Sequence, residues 1–262
     1  MLIRFGPLVP ARFVERPNRF LLRCVLERGG AAGESGSPGT AGTSTSSTPA
    51  NGDAPVEVHL ADPGRLKELL VPGRRVWIRS AASPTRRTAW SAVLVEAPGG
   101  QLISVDTTKP NKLIGAALEA GALEDFDGWA LERREAPLGR SRIDFLLSRP
   151  DGRRLALEVK SVTLVVDGVA LFPDAVTARG TRHVRELTEL AGRDGWESAI
   201  LFVLQRDDAR RVLEAASFAP AFAEALAEAS AAGVRVLGRR CRVGLDRIEL
   251  GETVPVATEG VV

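Results

Sequence analysis

The sequence has no run of about 18 or more apolar residues, so none of it reads as a membrane-spanning helix. Its opening residues, MLIRFGPLVPARF, lack the apolar core of a secretion signal, and a cytoplasmic protein is the expectation. Cysteine is scarce. Cys24 and Cys241 lie far apart and match no zinc-ligand spacing, which excludes a disulfide-stapled or zinc-nucleated fold and leaves buried free thiols. A strong charge of one sign is also missing. The formal net charge is +2, so bulk basicity does not announce nucleic acid. Lysine is nearly absent: among 35 Lys and Arg, the lysines are Lys67, Lys109, Lys112 and Lys160. Arg fills the general surface charge, so a retained Lys marks a place where a compact ammonium with a tunable pKa is useful.

What is present is an ordinary globular balance, 44% hydrophobic and 26% charged over 262 residues, enough for one large core or two small ones. Residues 29–55 are a low-complexity run of Gly, Ala, Ser, Thr and Pro. Such a run buries too little apolar surface to offset its ordering entropy, and it reads as a disordered hairpin-loop insertion. Around it, short strand-like runs occur at Ala11–Glu15, Phe20–Glu27, Val56–Leu60 and Arg74–Arg79, with a break at Asp62-Pro63-Gly64 and a short helix predicted at Leu66–Leu70. This fits an OB-like small β-barrel over residues 1–83. Arg12, Arg16, Arg19, Arg65 and Lys67 lie at turns or exposed faces near Phe13 and Phe20, a mixture suited to a single-stranded nucleic-acid groove and equally to solvated charges over a core.

From about residue 84 the pattern becomes α/β, with strands at Thr88–Glu96, Leu102–Val105, Ser141–Ser148, Leu155–Val166, Ser198–Gln205 and Val234–Val243. Helices are predicted at Asn111–Ala120, Ala178–Ala191 and Ala219–Ala232, giving a mixed sheet flanked by helices over 84–262.

The chemistry concentrates in one hairpin. Pro150-Asp151-Gly152 is the signature of a three-residue loop, a type I turn closed by a left-handed Gly. That loop sets Arg149 against Arg153, Asp144 against Glu158 and Arg142 against Lys160. It puts Ile143, Phe145, Leu147, Leu155, Leu157 and Val159 on one face, and Asp144, Glu158 and Lys160 on the other. Two carboxylates across a strand pair repel unless a cation lies between them. Hard oxygen ligands suit Mg²⁺ or Mn²⁺ with phosphate oxygens completing the shell. Lys160 is placed to orient or deprotonate a water, or to stabilise charge on phosphorus. The same three residues also suit a solvated sheet face with a Glu–Lys pair.

Downstream, the helix of residues 178–191 places Val184, Leu187 and Ala191 on a core stripe and Arg179, Arg182, His183 and Glu186 towards the other side. Arg179 and Arg182, near the free N–H groups of the helix start, form a phosphate-binding surface.

Taken together, Asn18 to Leu21, His59 to Leu66, Pro110 to Leu113, Gly139 to Leu147, Leu157 to Leu164 and Phe172 to Leu187 resemble the sugar fermentation stimulation protein A family. The resemblance implies an OB-like first domain, a second domain of the restriction-endonuclease-like PD-(D/E)xK type, DNA binding with little sequence preference and a regulatory link to sugar metabolism. It places Asp144, Glu158 and Lys160 on the nuclease motif. The chain departs from the family pattern at Ala116, where relatives carry Glu, and Glu119 is the candidate to replace that acid as a metal ligand. It also has Asp62 and Pro63 where the family has Asn and Thr.

The leading expectation is therefore a DNA-binding protein with a nuclease-type Mg²⁺ or Mn²⁺ site on Asp144, Glu158 and Glu119, Lys160 assisting hydrolysis. Arg19, Arg65, Lys67, Arg142, Arg179, Arg182 and His183 are its candidate DNA contacts. Two other readings stand beside it: a DNA-binding regulator that does not cut, and a nucleotide or phosphometabolite binder. Oligomeric state stays open, a homodimer included.

Overall fold

The computed structural model describes residues 1–27, 54–81, 87–138, 141–217 and 219–258. The stretch expected to be disordered, 29–55, lies outside them apart from its last two residues.

A short strand, β1 (Leu2–Arg4), precedes six strands that form one sheet: β2 (Val9–Asn18), β3 (Leu21–Leu26), β4 (Val56–His59), β5 (Arg75–Ser80), β6 (Trp90–Glu96) and β7 (Leu102–Ser104). Their order is β4-β3-β2-β5-β6-β7, and β4 also pairs with β6, which closes a five-strand barrel with β7 attached to β6. Period-two alternation drives it. Ala11 and Phe13 point inwards from β2, and Val76 and Ile78 from β5, onto Leu22, Cys24 and Val58.

Two sequence expectations change here. The runs at 88–96 and 102–105 read as part of the second domain, yet β6 and β7 pair in the barrel sheet, which therefore runs past residue 83 to Ser104. The predicted helix Leu66–Leu70 is a turn. Leu69 and Leu70 donate to the Leu66 carbonyl, but Leu66 has φ 49°, a left-handed start that no helix continues.

The second sheet adds β8 (Ala130–Leu138), β9 (Ser141–Ser148), β10 (Arg154–Val162), β13 (Trp196–Leu204), β15 (Arg235–Val243) and β16 (Arg247–Thr253). The order is β1-β16-β15-β13-β10-β9-β8, parallel through β10, β13 and β15 and antiparallel elsewhere. Helix α1 (Thr108–Glu119) covers one face through Leu113, Ile114 and Ala117, packing on Phe145, Leu157 and Leu201. Helices α2 (Ala178–Ala191) and α3 (Pro220–Ala231) cover the other through Val184, Leu187, Phe222 and Leu226. With a helix on each face, β13 is buried on both sides, and residues 198–204 of that strand are all inaccessible. A small sheet of β11 (Val165–Val166), β12 (Val169–Phe172), β14 (Arg211–Glu214) and β17 (Val256–Ala257) lies beside them. Cys24 and Cys241 are buried free thiols, and burial pushes both up to about 12. Among the described residues no helix is long and apolar enough to cross a membrane.

Candidate metal and phosphate site

The hairpin register follows its turn. Gly152 has φ 87° and donates to the Arg149 carbonyl at 3.0 Å, and the Arg149 N–H donates to the Arg153 carbonyl at 2.9 Å. The ladder then runs from Ser148 with Arg154 to Phe145 with Leu157. It stops there, one step short of Asp144 and Glu158. The Asp144 side chain takes over: its Oδ2 accepts the Val159 N–H at 2.7 Å. The expected facing of Arg142 and Lys160 is therefore not formed, because β9 has left β10 and continues with β8, where Arg142 pairs with Pro137 and Ile143 with Ala136. For the same reason Ile143 leaves the face of Phe145 and joins the core beneath α2.

Asp144 and Glu158 are held differently. Asn111, in the first turn of α1, donates through Nδ2 to Asp144 Oδ1 at 2.6 Å. Glu158, only 6% exposed, accepts on Oε1 from Lys160 Nζ at 2.6 Å and from His183 Nδ1 at 2.8 Å. Burial, then the nearby Glu158 charge, pushes Asp144 up to about 6. Burial also acts against ionised Glu158, but the bonds from His183 and Lys160 outweigh it and hold that carboxyl below its usual range. The ionised Glu158 makes Nδ1 the protonated nitrogen of His183. Two neighbouring carboxyls with pKa values driven apart are the arrangement expected of a functional site.

His183 is the main surprise of position. Expected on the outer side of its helix, it is buried beside Gly180, Val184 and Leu187, which recur at the three- and four-residue spacing of one helical stripe. Thr177 caps α2 by accepting the Gly180 N–H at 3.0 Å, and this fixes the first turn over the sheet. Arg179 and Arg182 stay exposed there.

Two adjoining hollows meet at the cluster. One, about 430 Å³, holds Arg142, Arg179 and Arg182 with Asp144, Glu158 and His183. The other, about 380 Å³, holds Lys160, Asn111 and Thr107 with the same acids, and Pro63 of the barrel contributes to its wall. The barrel loop is tied down on both sides: the Thr107 hydroxyl donates to the Ala61 carbonyl at 2.8 Å, and Asp174 Oδ2 accepts the Arg65 N–H at 2.7 Å. A larger hollow of about 980 Å³ lies between α2 and the start of α3; Arg182 borders it, but neither acid of the cluster does.

Four expected residues lie elsewhere. Arg19, Arg65 and Lys67 are exposed on the barrel side and line neither hollow. Glu119, the expected third acid, is not brought to the cluster. It is exposed and pairs with Arg134 at 2.9 Å, because eight residues of helix carry it about 12 Å along the axis from Asn111. Asn111 instead is the α1 residue that bonds an acid of the site, and its one sequence signal was its place in the Pro110–Leu113 stretch that resembles the family.

The donor set fits a hard divalent cation. It offers two carboxylates, one destabilised by the other's charge, in hollows open to solvent. Among the described residues no group of three His, Cys, Asp or Glu side chains is placed to hold an ion.

Comparison with known proteins gives the same two-part division. Residues 14–105 match the family model described as the SfsA N-terminal OB domain, and residues 108–247 match the sugar fermentation stimulation protein RE domain. The chain is 44% identical over 254 residues to the sugar fermentation stimulation protein homolog of Shouchella clausii (strain KSM-K16), covering 97% of this chain and 99% of the relative. The homolog of Moorella thermoacetica is 40% identical over 250 residues, 95% of each chain. Among solved structures, that of Pyrococcus furiosus SfsA in complex with Ca²⁺ is similar, with TM-score 0.80, 25% identity and coverage of 97% of this chain and 98% of that one. The expected OB-like barrel followed by a restriction-endonuclease-like α/β domain is the fold found.

Proposed function

The chain belongs to the sugar fermentation stimulation protein family, and from that premise we propose that it binds DNA with little sequence preference and hydrolyses phosphodiesters at Asp144 and Glu158 with Mg²⁺ or Mn²⁺. One observation carries the reading: a half-buried Asp144 beside a buried Glu158 with a lysine on the Glu, opening into a hollow lined by Arg142, Arg179 and Arg182. Asp144 and Glu158 would hold the cation, which when bound supplies a Lewis acid for a phosphate oxygen and a more acidic water. Lys160 orients the attacking water and balances charge developing on phosphorus. Asn111 and the Val159 N–H fix Asp144, and His183 fixes Glu158, so neither acid needs to reorganise. The three arginines grip the flanking phosphates. The presence of Ca²⁺ in the Pyrococcus furiosus relative supports an oxygen-ligand site for a hard cation in this chain too.

The position of Glu119 favours a second reading, a DNA-binding protein of the same fold that does not cut, because the third acid is turned away. One experiment decides. The wild type and Glu158→Ala are incubated with Mn²⁺ and labelled single-stranded DNA, duplex DNA and RNA. Cleavage of any of these by the wild type, lost in the variant, is the expected result. If every substrate stays intact while DNA is still retained in a salt-dependent way, the second reading replaces the first. Absence of any retention on DNA sinks both and leaves nucleotides and phosphorylated metabolites to be tested as ligands.

A further inference from the structure

Phe20 is 48% exposed, and it is the only aromatic among the large hydrophobic side chains left exposed in the described residues. One open apolar residue is unremarkable by itself. Its setting gives it meaning. Phe20 sits in the β2–β3 turn, where Asn18 Oδ1 accepts its N–H at 2.9 Å, and the exposed Arg19 precedes it. Arg16 then binds this turn to the loop at the domain junction. Its Nη2 donates to the carbonyls of Arg19 at 2.7 Å and Asp62 at 3.1 Å, and its Nη1 to those of Gly64 and Arg65, each at 2.8 Å. Four bonds from one guanidinium make turn and loop a single unit. Pro63 in that loop walls the hollow containing Asp144, Glu158 and Lys160. An exposed ring flanked by Arg19, with Arg65 and Lys67 exposed beyond it, is thus held at a fixed offset from the cluster.

We infer that the nucleic acid enters as a single strand, with one base stacked on Phe20 and its backbone led across the Asp62–Arg65 loop into the carboxylate hollow. This rests on the reading of that hollow as a phosphodiester site. The strandedness follows from the ring. Cationic side chains meet the phosphates of one strand or two alike, but a phenyl face can stack only on a base whose own face is free. The barrel is then the part that selects unpaired substrate, and Arg16 is a positioning residue that sets the distance between the stacked base and the reacting phosphate.

The test is fluorescence anisotropy with a labelled oligothymidylate and a duplex of equal length, using the full chain as wild type, Phe20→Ala and Phe20→Trp. Phe20→Ala should weaken single-strand binding about tenfold, the scale of one lost base stack, and leave duplex binding within about twofold. Phe20→Trp should restore it. An unchanged single-strand affinity in Phe20→Ala, or an equal loss for both substrates, overturns the inference while leaving the site reading intact. If the wild type binds neither nucleic acid, the site reading fails first.

Discussion

Asp144 accepts the main-chain N–H of Val159 at the step where the backbone pairing of the hairpin has just ended, after Phe145 and Leu157. A carboxylate thus replaces a carbonyl in the ladder. The strands separate without orphaning the N–H, and the gap between them is where the two acids face the hollows. The side chain has two duties, one in the fold and one at the site, and they can be separated by substitution.

Asp144→Ala should lose both. It leaves the Val159 N–H without its acceptor and should cost about 1–3 kcal/mol of stability. Asp144→Asn keeps an oxygen for Val159, and a rotated Asn111 amide can offer its own oxygen to the new NH₂ group. That variant should unfold at a urea midpoint close to wild type and yet lose Mn²⁺ binding by calorimetry. Unchanged Mn²⁺ binding in Asp144→Asn would remove Asp144 from the metal site.

Much of this geometry was legible because it is local. Pro150-Asp151-Gly152 admits few loop conformations, and the loop fixes the register of everything up to Phe145 and Leu157. The core positions Val184 and Leu187 of α2 were legible for the same reason, since they follow from the helical period alone. What escaped depends on partners distant in sequence. Strand β8 carries four successive exposed residues, Glu132 to Glu135, and a left-handed Glu135, so it shows no alternation and is recognisable only as the edge partner of β9. Strands β6 and β7 were visible as strands, but sheet membership is decided by what they pair with, not by their own residues. The meeting of Asn111 with Asp144, and of His183 with Glu158, exists only once α1 and α2 are packed on opposite faces of the sheet.

Asp62 offers a test of the domain junction by pH. Burial first, then the Asp174 charge, raises its carboxyl to about 6, against the Gly64 N–H bond and Arg16 that favour ionisation. The folded pKa lies above the unfolded value of about 3.9. Between those values the folded state holds a proton that the unfolded state releases, so this group's contribution to stability falls as pH rises from about 4 to about 6, then stays level. The loss is on the order of 3 kcal/mol. Asp62→Asn keeps the acceptor for Gly64 and removes the titration. Denaturant unfolding should give similar stabilities for variant and wild type near pH 4, with the variant more stable at pH 7. Parallel stability curves across that range would show that Asp62 is not carrying a charge penalty.

Arg179 and Arg182 are exposed in the first two turns of α2, on the rim of the hollow that contains both acids. If they grip phosphates, each contributes to counterion release, and the log–log dependence of affinity on salt carries about 0.7 to 0.9 units of slope for each contact. Arg179→Ala and Arg182→Ala should therefore weaken binding by a similar factor for every DNA sequence and lower the slope by about one unit each, the double variant by about two. Arg4, exposed on β1 at the opposite edge of the same sheet, is the control, and Arg4→Ala should leave the slope as it is. A slope that does not move in Arg179→Ala and Arg182→Ala, with affinity reduced all the same, would mean that the arginines shape the hollow without touching phosphate. A slope that falls as much in Arg4→Ala would mean that the protein attracts DNA by its general surface charge, and that the hollow has no special grip on it.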